Sequence, residues 1–389
     1  MYSYAVLGAG RQGTAAAYDM ARWGQARRVI LADIDLDAVS RSAERLEKLT
    51  RKGIFEPIFL DVREIEQAGA ALQGVDSILS AVPYYYNLPI TRCAVRIKAN
   101  LCDLGGNLEI ARQQHAFDAD AREVGISIIP NCGQVPGMGT SLMVYAMELL
   151  DEAVDVYMWD GGIPQNPRPP FNYLLTFNIA GLTNEYAEPA VFLRDGRIQE
   201  MEPLSEPEWL DFPEPIGRLE AFIAGGGTDT MPWTYQGKLR TLQNKTLRWP
   251  GHYNQLRAYY DLGLWDTTPV RVGDVEVVPR EVFHALFEPK VTFADDKDWV
   301  IVRVRAVGKK GGKDAEVIVQ VIDAYDQTTG FTAMERSTGW SAAIVAEMMA
   351  QELTPRGAGG VERMVPARQF IEALRLRGIQ VTEEIRLLT

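Results

Sequence analysis

Tyr4-Ala5-Val6-Leu7-Gly8-Ala9-Gly10-Arg11-Gln12-Gly13 decides the fold. An apolar run leads straight into a glycine loop, and the loop opens a helical pattern. This is the sequence form of a dinucleotide site at the first turn of a βαβ unit. Gly8 permits the tight turn, Gly10 lets backbone approach a pyrophosphate, and Gly13 lets the new helix pack on the strand. The first N–H groups of that helix have no partner within it, and its dipole adds about half a positive charge there. A diphosphate satisfies both, so Gly8, Gly10, Arg11, Gln12 and Gly13 are expected to line a cofactor.

Arg28-Val29-Ile30-Leu31-Ala32-Asp33 supports the reading. It is a second apolar strand ending in an acid about twenty residues past the loop, where a carboxylate accepts both ribose hydroxyls of NAD. The same acid repels a 2′-phosphate. Two unit charges ~4 Å apart interact by about 4 kcal/mol at an effective dielectric of 20. Even a strongly discounted value favours NAD over NADP by roughly tenfold. Asp35 and Asp37 read as helix-capping and surface acids.

Working outward, strand and helix patterns alternate to about residue 130, giving six strands in the expected order 3-2-1-4-5-6. Glu56 to Leu60 reads as a strand with Asp61-Val62 beyond it, either an adenine contact or a helix N-cap. Ser77 to Ser80 is the fourth strand. Its exit, Ala81-Val82-Pro83, opens onto the cofactor crevice where strand order reverses, and Tyr84-Tyr85-Tyr86 either walls a pocket or caps the core edge. Asp103-Leu104-Gly105-Gly106 ends the fifth strand, so Asp103 either faces the crevice or caps its loop. Leu108 to Glu123 reads as one helix, with His115 in a structural position. Pro130 to Gly139, including Val135, is the expected hinge and part of the nicotinamide pocket.

From about residue 153 the pattern changes. Val154–Trp159, Ala190–Leu193, Thr246–Trp249, Trp299–Gly308 and Glu316–Tyr325 alternate and are widely separated, as in a mostly antiparallel sheet with helices on one face. Gly161 to Pro164 and Arg168 to Tyr173 read as rigid loops, and Lys309 to Lys313 as a hairpin tip. The fold class is α/β: a Rossmann doubly wound parallel sheet in residues 1–132, then an α+β substrate-binding and dimerisation domain in 133–337. Residues 338–389 are expected to return to the first domain.

Totals narrow the function. A net charge of −12 argues against nucleic acid and anionic membranes as partners. No apolar run approaches the ~20 residues that span a bilayer. The three cysteines, Cys93, Cys102 and Cys132, have no zinc spacing and read as buried thiols. No metal is called for, and a reducing cytoplasm fits.

Gly8–Gly13, Asp103–Gly106, Val135-Pro136-Gly137-Met138, Gly161–Pro164, Leu219-Glu220-Ala221-Phe222, Gly226-Gly227-Thr228 and Lys245 to His252 together resemble the saccharopine dehydrogenase-like family, most closely its lysine 6-dehydrogenases. The resemblance implies a second domain like that of glyceraldehyde-3-phosphate dehydrogenase, a homodimer and a reaction on a C–N bond of an amino acid, and Asp33 makes NAD the expected cofactor. The segment Asn178-Ile179-Ala180-Gly181 lacks the arginine expected of saccharopine reductases, which implies a smaller substrate. Trp249 and Pro250 also depart from the family pattern.

The leading expectation is oxidative deamination of L-lysine at its ε-amine. Only a neutral amine expels hydride, whereas a free lysine ammonium has a pKa of ~10.4, so the site must desolvate it or hold a base beside it. His252 is the expected base and Asp103 the group that locates the amine. Arg248 either forks onto the α-carboxylate or makes a surface ion pair. Tyr173 and Thr228 are expected to line the pocket. The alternatives are reductive condensation with NADPH, of the saccharopine or carboxynorspermidine type, and a non-catalytic NAD-binding scaffold.

Overall fold

The computed structural model describes residues 1–388. Strands β1 (Tyr2–Leu7), β2 (Ala26–Asp33), β3 (Phe55–Phe59), β4 (Ser77–Ser80), β5 (Asn100–Asp103) and β6 (Ser127–Ile129) form one sheet with neighbours ordered 6-5-4-1-2-3. Every pairing in it is parallel. Parallel strands are buried on both faces, which is why they read as unbroken apolar runs. Tyr4, Val6, Val29, Leu31 and Leu79 pack into one core, and Ala5, Leu7, Ile30, Ala32 and Ile78 into another on the opposite face.

The second sheet is built on β7 (Glu152–Pro164). Strands β8 (Ala190–Arg194), β9 (Arg197–Met201), β10 (Glu208–Asp211), β11 (Arg218–Phe222) and β12 (Thr241–Arg248) extend it on one side. A separate hairpin, β13 (Val270–Val272) and β14 (Val275–Val277), stands apart. On the other side lie β15 (Asp298–Lys310) and β16 (Lys313–Ala324). The pairings are antiparallel except β12 with β7, which is parallel. Gly311 and Gly312 turn the β15–β16 hairpin with φ of 58° and 75°, the left-handed values that a two-residue hairpin turn requires. Gly161 to Pro164, expected as a loop, continues β7. A side chain at Gly161 would stand 2.3 Å from the Leu247 carbonyl, so the glycine admits the neighbouring strand.

The C-terminal return is divided between the two sheets. Helix Ser341–Ala350 packs on the first sheet, where the Ser77 hydroxyl donates to the Ala346 carbonyl at 2.9 Å, and β17 (Gly357–Ala358) pairs with β6. The last strand, β18 (Val381–Leu387), instead pairs with β16 in the second sheet, against expectation. Its residues after Val381 are exposed, so no apolar run announced it. The helix expected over Leu108 to Glu123 is broken at Ala116 and Phe117, leaving Leu108–His115 and Asp118–Val124. Tyr18, Trp23, Phe331 and Trp340 form an aromatic cluster that fastens the returning segment to the first helix, Arg11–Arg22.

Candidate active site

The glycine loop has the geometry its sequence implied. Gly8 sits at φ 98°, with its backbone against the Ala81 carbonyl. A Cβ on Gly13 would lie 1.9 Å from the Gly8 carbonyl oxygen, so only hydrogen fits. A Cβ on Gly10 would meet nothing within 4 Å, which leaves room for a phosphate at the helix N-terminus. The Gln12 amide beside it has both Nε2 and Oε1 buried without a partner among the described residues. Open space and an orphaned donor–acceptor pair at that position fit a dinucleotide. Asp33 ends β2, and its Oδ2 accepts the Ala9 N–H at 2.7 Å, which ties the acid to the loop. Arg11 is exposed at the helix start. Ala81, Val82 and Pro83 follow β4, with the Ala81 N–H donating to the Leu7 carbonyl at 2.7 Å. Leu104 and Val135, both half-buried, follow β5 and β6 on the same carboxyl edge.

Three expected contacts fall elsewhere. Asp61 is forked onto Arg63, which holds its carboxyl below the usual range, and neither caps the next helix nor stands free for adenine. Val62 is buried in the core beneath the sheet. The Thr228 hydroxyl donates to the Val191 carbonyl at 2.7 Å and so holds a loop instead of lining a pocket.

Asp103 is 1% exposed at the end of β5. Its Oδ1 accepts the N–H groups of Gly105 and Asn131 at 2.8 and 3.0 Å, and its Oδ2 accepts the Gln114 amide at 2.9 Å. In this arrangement it organises the crevice loop. Three of the about four acceptor sites of the carboxylate are taken by the protein, so the role the structure shows for Asp103 is to hold the loop.

Arg248 and His252 belong to a buried polar cluster on the second sheet. Glu220 accepts the N–H groups of Gly251 and Tyr253, fixing the start of helix His252–Asp261 and hence the imidazole. The Arg248 Nε donates to the Tyr186 hydroxyl at 2.7 Å, and its Nη2 lies 3.3 Å from Glu185. The Tyr186 hydroxyl, 3.2 Å from His252 Nε2, has its own proton left to donate there, which assigns the ring proton to Nδ1. Tyr173 packs against both residues, its ring 5.1 Å from the imidazole and 5.5 Å from the guanidinium. Burial first, and then the Arg248 charge, pushes His252 down to about 3. A group that resists protonation so strongly is a poor base, so that expected role is corrected.

Sequence reasoning missed the acids of this cluster. Burial, and then Glu185, raises Asp160 to about 7. Burial also raises Glu185, against the pull of Arg248. The Gln134 amide, beside Val135, donates to Asp160 at 3.4 Å, so the loop leaving the first sheet reaches the cluster. Asn244 Oδ1 is a buried acceptor with no partner among the described residues, while Thr246 bonds to Glu185 and the His252 ring to the Phe171 backbone. Such an acceptor costs free energy unless something bonds it, which marks the cluster as a place for a polar ligand. One signal was available for Asp160: like Asp33 and Asp103, it closes an apolar strand run.

Both Asp160 and Asp229, the latter raised to about 8 by burial and then by Glu362, bind their protons more tightly in the folded chain. The native state therefore keeps protons that the unfolded chain releases above pH ~4. This contribution to stability is present at low pH and lost as pH rises through about 7 to 8. Thermal melts from pH 5 to 8 are expected to fall for the wild type and to flatten in Asp160→Asn and Asp229→Asn.

Comparisons with known proteins agree with this architecture. The profile of the saccharopine dehydrogenase NADP binding domain matches residues 4–129, and that of the saccharopine dehydrogenase C-terminal domain matches residues 133–379. An L-glutamate-forming, NADP(+) saccharopine dehydrogenase from Pyricularia oryzae is 22% identical over 246 residues, covering 59% of this chain and 52% of that protein. One of the same description from Saccharomyces cerevisiae is 20% identical over 294 residues, covering 68% of this chain and 64% of its own length. The chain thus spans about half to two thirds of the curated relatives it matches. Apo saccharopine dehydrogenase (L-Glu forming) from Saccharomyces cerevisiae superposes with a TM-score of 0.77 at 16% identity, over 99% of this chain and 100% of the other. A homospermidine synthase from Legionella pneumophila in complex with NAD gives 0.67 at 11% identity, over 100% and 92%. With both of its domain profiles matched along most of its length, this chain belongs to the saccharopine dehydrogenase family.

Proposed function

We propose that this protein is an NAD-dependent oxidoreductase acting on a C–N bond of an amino acid, and that its reaction is oxidative deamination of L-lysine at the ε-amine. The observation that carries the reading is the buried cluster of Arg248, Glu185 and Asp160 beside the unpartnered Asn244 oxygen. Arg248 offers a fork for the α-carboxylate, which would displace Glu185 from it. Asp160, at about 7, replaces His252 as the group that takes the proton from the ammonium. His252 and Tyr186 hold the Arg248 side chain in place. Gly8 to Gly13, Asp33, Ala81 to Pro83, Leu104 and Val135 would hold the coenzyme, whose nicotinamide supplies the hydride acceptor when bound. The remaining amine lone pair forms the C=N bond, and water hydrolyses the imine.

Asp33 supports NAD, whereas the NADP(+) in the names of the relatives supports the second reading, reductive condensation of an amine with an aldehyde. Steady-state rates separate them. Turnover is expected with NAD and L-lysine, rising with pH through about 7, and Asp160→Asn is expected to lower kcat about 10²-fold and remove that limb. Turnover only with NADPH, amine and aldehyde would favour the second reading, and none on an amine panel a scaffold. The working unit is proposed to be a homodimer, which light scattering on the purified protein reads directly.

A further inference from the structure

A polar cavity of about 340 Å3 lies apart from the Arg248 cluster. Its lining comes from three separate stretches: Arg112 and His115 on helix Leu108–His115, Thr230 to Thr234 around helix Met231–Tyr235, and Gly360 to Arg363 on the returning segment. Glu362 is 8% exposed, and its Oε1 accepts the hydroxyls of Thr230 and Thr234 at 3.0 and 2.7 Å. Its Oε2 is buried with no partner among the described residues, as is His115 Nε2. The Arg112 guanidinium lies over the Trp233 ring, 3.8 Å from its centroid, and Arg363 is exposed on the rim. Gly360 keeps the floor open, because a Cβ there would stand 2.3 Å from Glu362 Oε2 and 2.5 Å from Thr230 Oγ1.

We infer that this cavity binds a free α-amino acid as its zwitterion, the ammonium between Glu362 and His115 and the carboxylate on Arg112 and Arg363. A simple anion would meet the Glu362 carboxylate on the floor, and a simple cation the two arginines. A molecule carrying both charges a few ångströms apart leaves neither unpaired, and it satisfies the two orphaned atoms. Burial, and then the charges of Arg363 and Arg112, push His115 down to about 4, so the ring is neutral and does not repel an ammonium. The volume falls in the small-molecule range. The site also reaches the cofactor crevice. Thr230 follows Asp229, whose Oδ1 accepts the Asn131 amide at 2.7 Å, and the Asn131 N–H is in turn held by Asp103. The cavity and the crevice loop are thus joined by a short run of hydrogen bonds.

The chain has three histidines, which makes the test site-specific. In histidine-labelled NMR of the full chain, L-lysine or L-glutamate is expected to shift the His115 signals saturably, while His252 reports the crevice cluster independently. Glu362→Gln and Arg112→Gln, the latter on the exposed rim, are each expected to weaken that shift about tenfold or more, the value of one charge-assisted hydrogen bond. Cadaverine, which lacks the carboxylate, and glutarate, which lacks the ammonium, should move His115 far less. The proposal is overturned if His115 does not respond to either amino acid, if cadaverine or glutarate moves it equally, or if both variants respond like the wild type.

Discussion

Arg377→Ala is expected to cost about 3–5 kcal/mol of folding stability, read as a lowered midpoint in urea denaturation. Arg377 is 5% exposed and carries no chemistry. Its Nε and Nη2 fork onto Asp19 at 2.6 and 2.7 Å, and Nη2 also donates to Glu347 at 2.7 Å. Asp19 lies on the first helix and Glu347 on helix Ser341–Ala350, so one guanidinium fastens the returning segment to the helix that opens at the glycine loop. Its removal leaves two buried carboxylates facing each other. Burial raises both of them, so they would respond by taking protons, which limits the cost without cancelling it. Replacing all three by apolar residues of similar size should restore most of the stability, because the charges then vanish together. A loss under about 1 kcal/mol in Arg377→Ala would mean that the triad does not hold the return in place.

Gly13→Ala should weaken dinucleotide binding about tenfold to a hundredfold, measured by calorimetry. The added Cβ would stand 1.9 Å from the Gly8 carbonyl oxygen and 3.1 Å from Val6 Cγ1, both fixed by the sheet. Overpacking of this kind costs about 1–3 kcal/mol, and the part that yields is the loop itself. Gly10→Ala is the informative companion. Beyond the adjoining backbone, no described atom lies within 4 Å of the Cβ it would carry, so its melting temperature should match the wild type. Binding should still fall, because the methyl group occupies the place left for the pyrophosphate. Wild-type affinity in both variants would remove the glycine loop from the cofactor site.

The first domain was legible because its strands are buried on both faces, so each appears as an apolar run ended by a glycine or an acid. Asp33, the crossover order and the loop at Val135 follow from that local grammar. The second domain was less so. β10 and β18 present mixed or exposed residues, and Gly161-Gly162 looked like a turn although β7 runs through them. The polar cluster was half legible. Arg248 and His252 sit in one motif, but Asp160, Glu185 and Tyr186 come from other segments, and no spacing brings them together. His252 and Asp103 were recognised as unusual residues, yet their roles depend on neighbours: burial and the Arg248 charge keep the first neutral, and three donors occupy the second. The Arg377–Asp19 pair spans 358 positions, beyond the reach of any local pattern.

The central claim is that an adenine dinucleotide docks on the glycine loop and that Asp33 reads its ribose. Calorimetric titration of the wild type and Asp33→Ala with NAD and NADP tests it most directly. The wild type should bind NAD about tenfold more tightly than NADP, and Asp33→Ala should close that gap. Heat from neither nucleotide, or a preference for NADP that Asp33→Ala leaves unchanged, would contradict it.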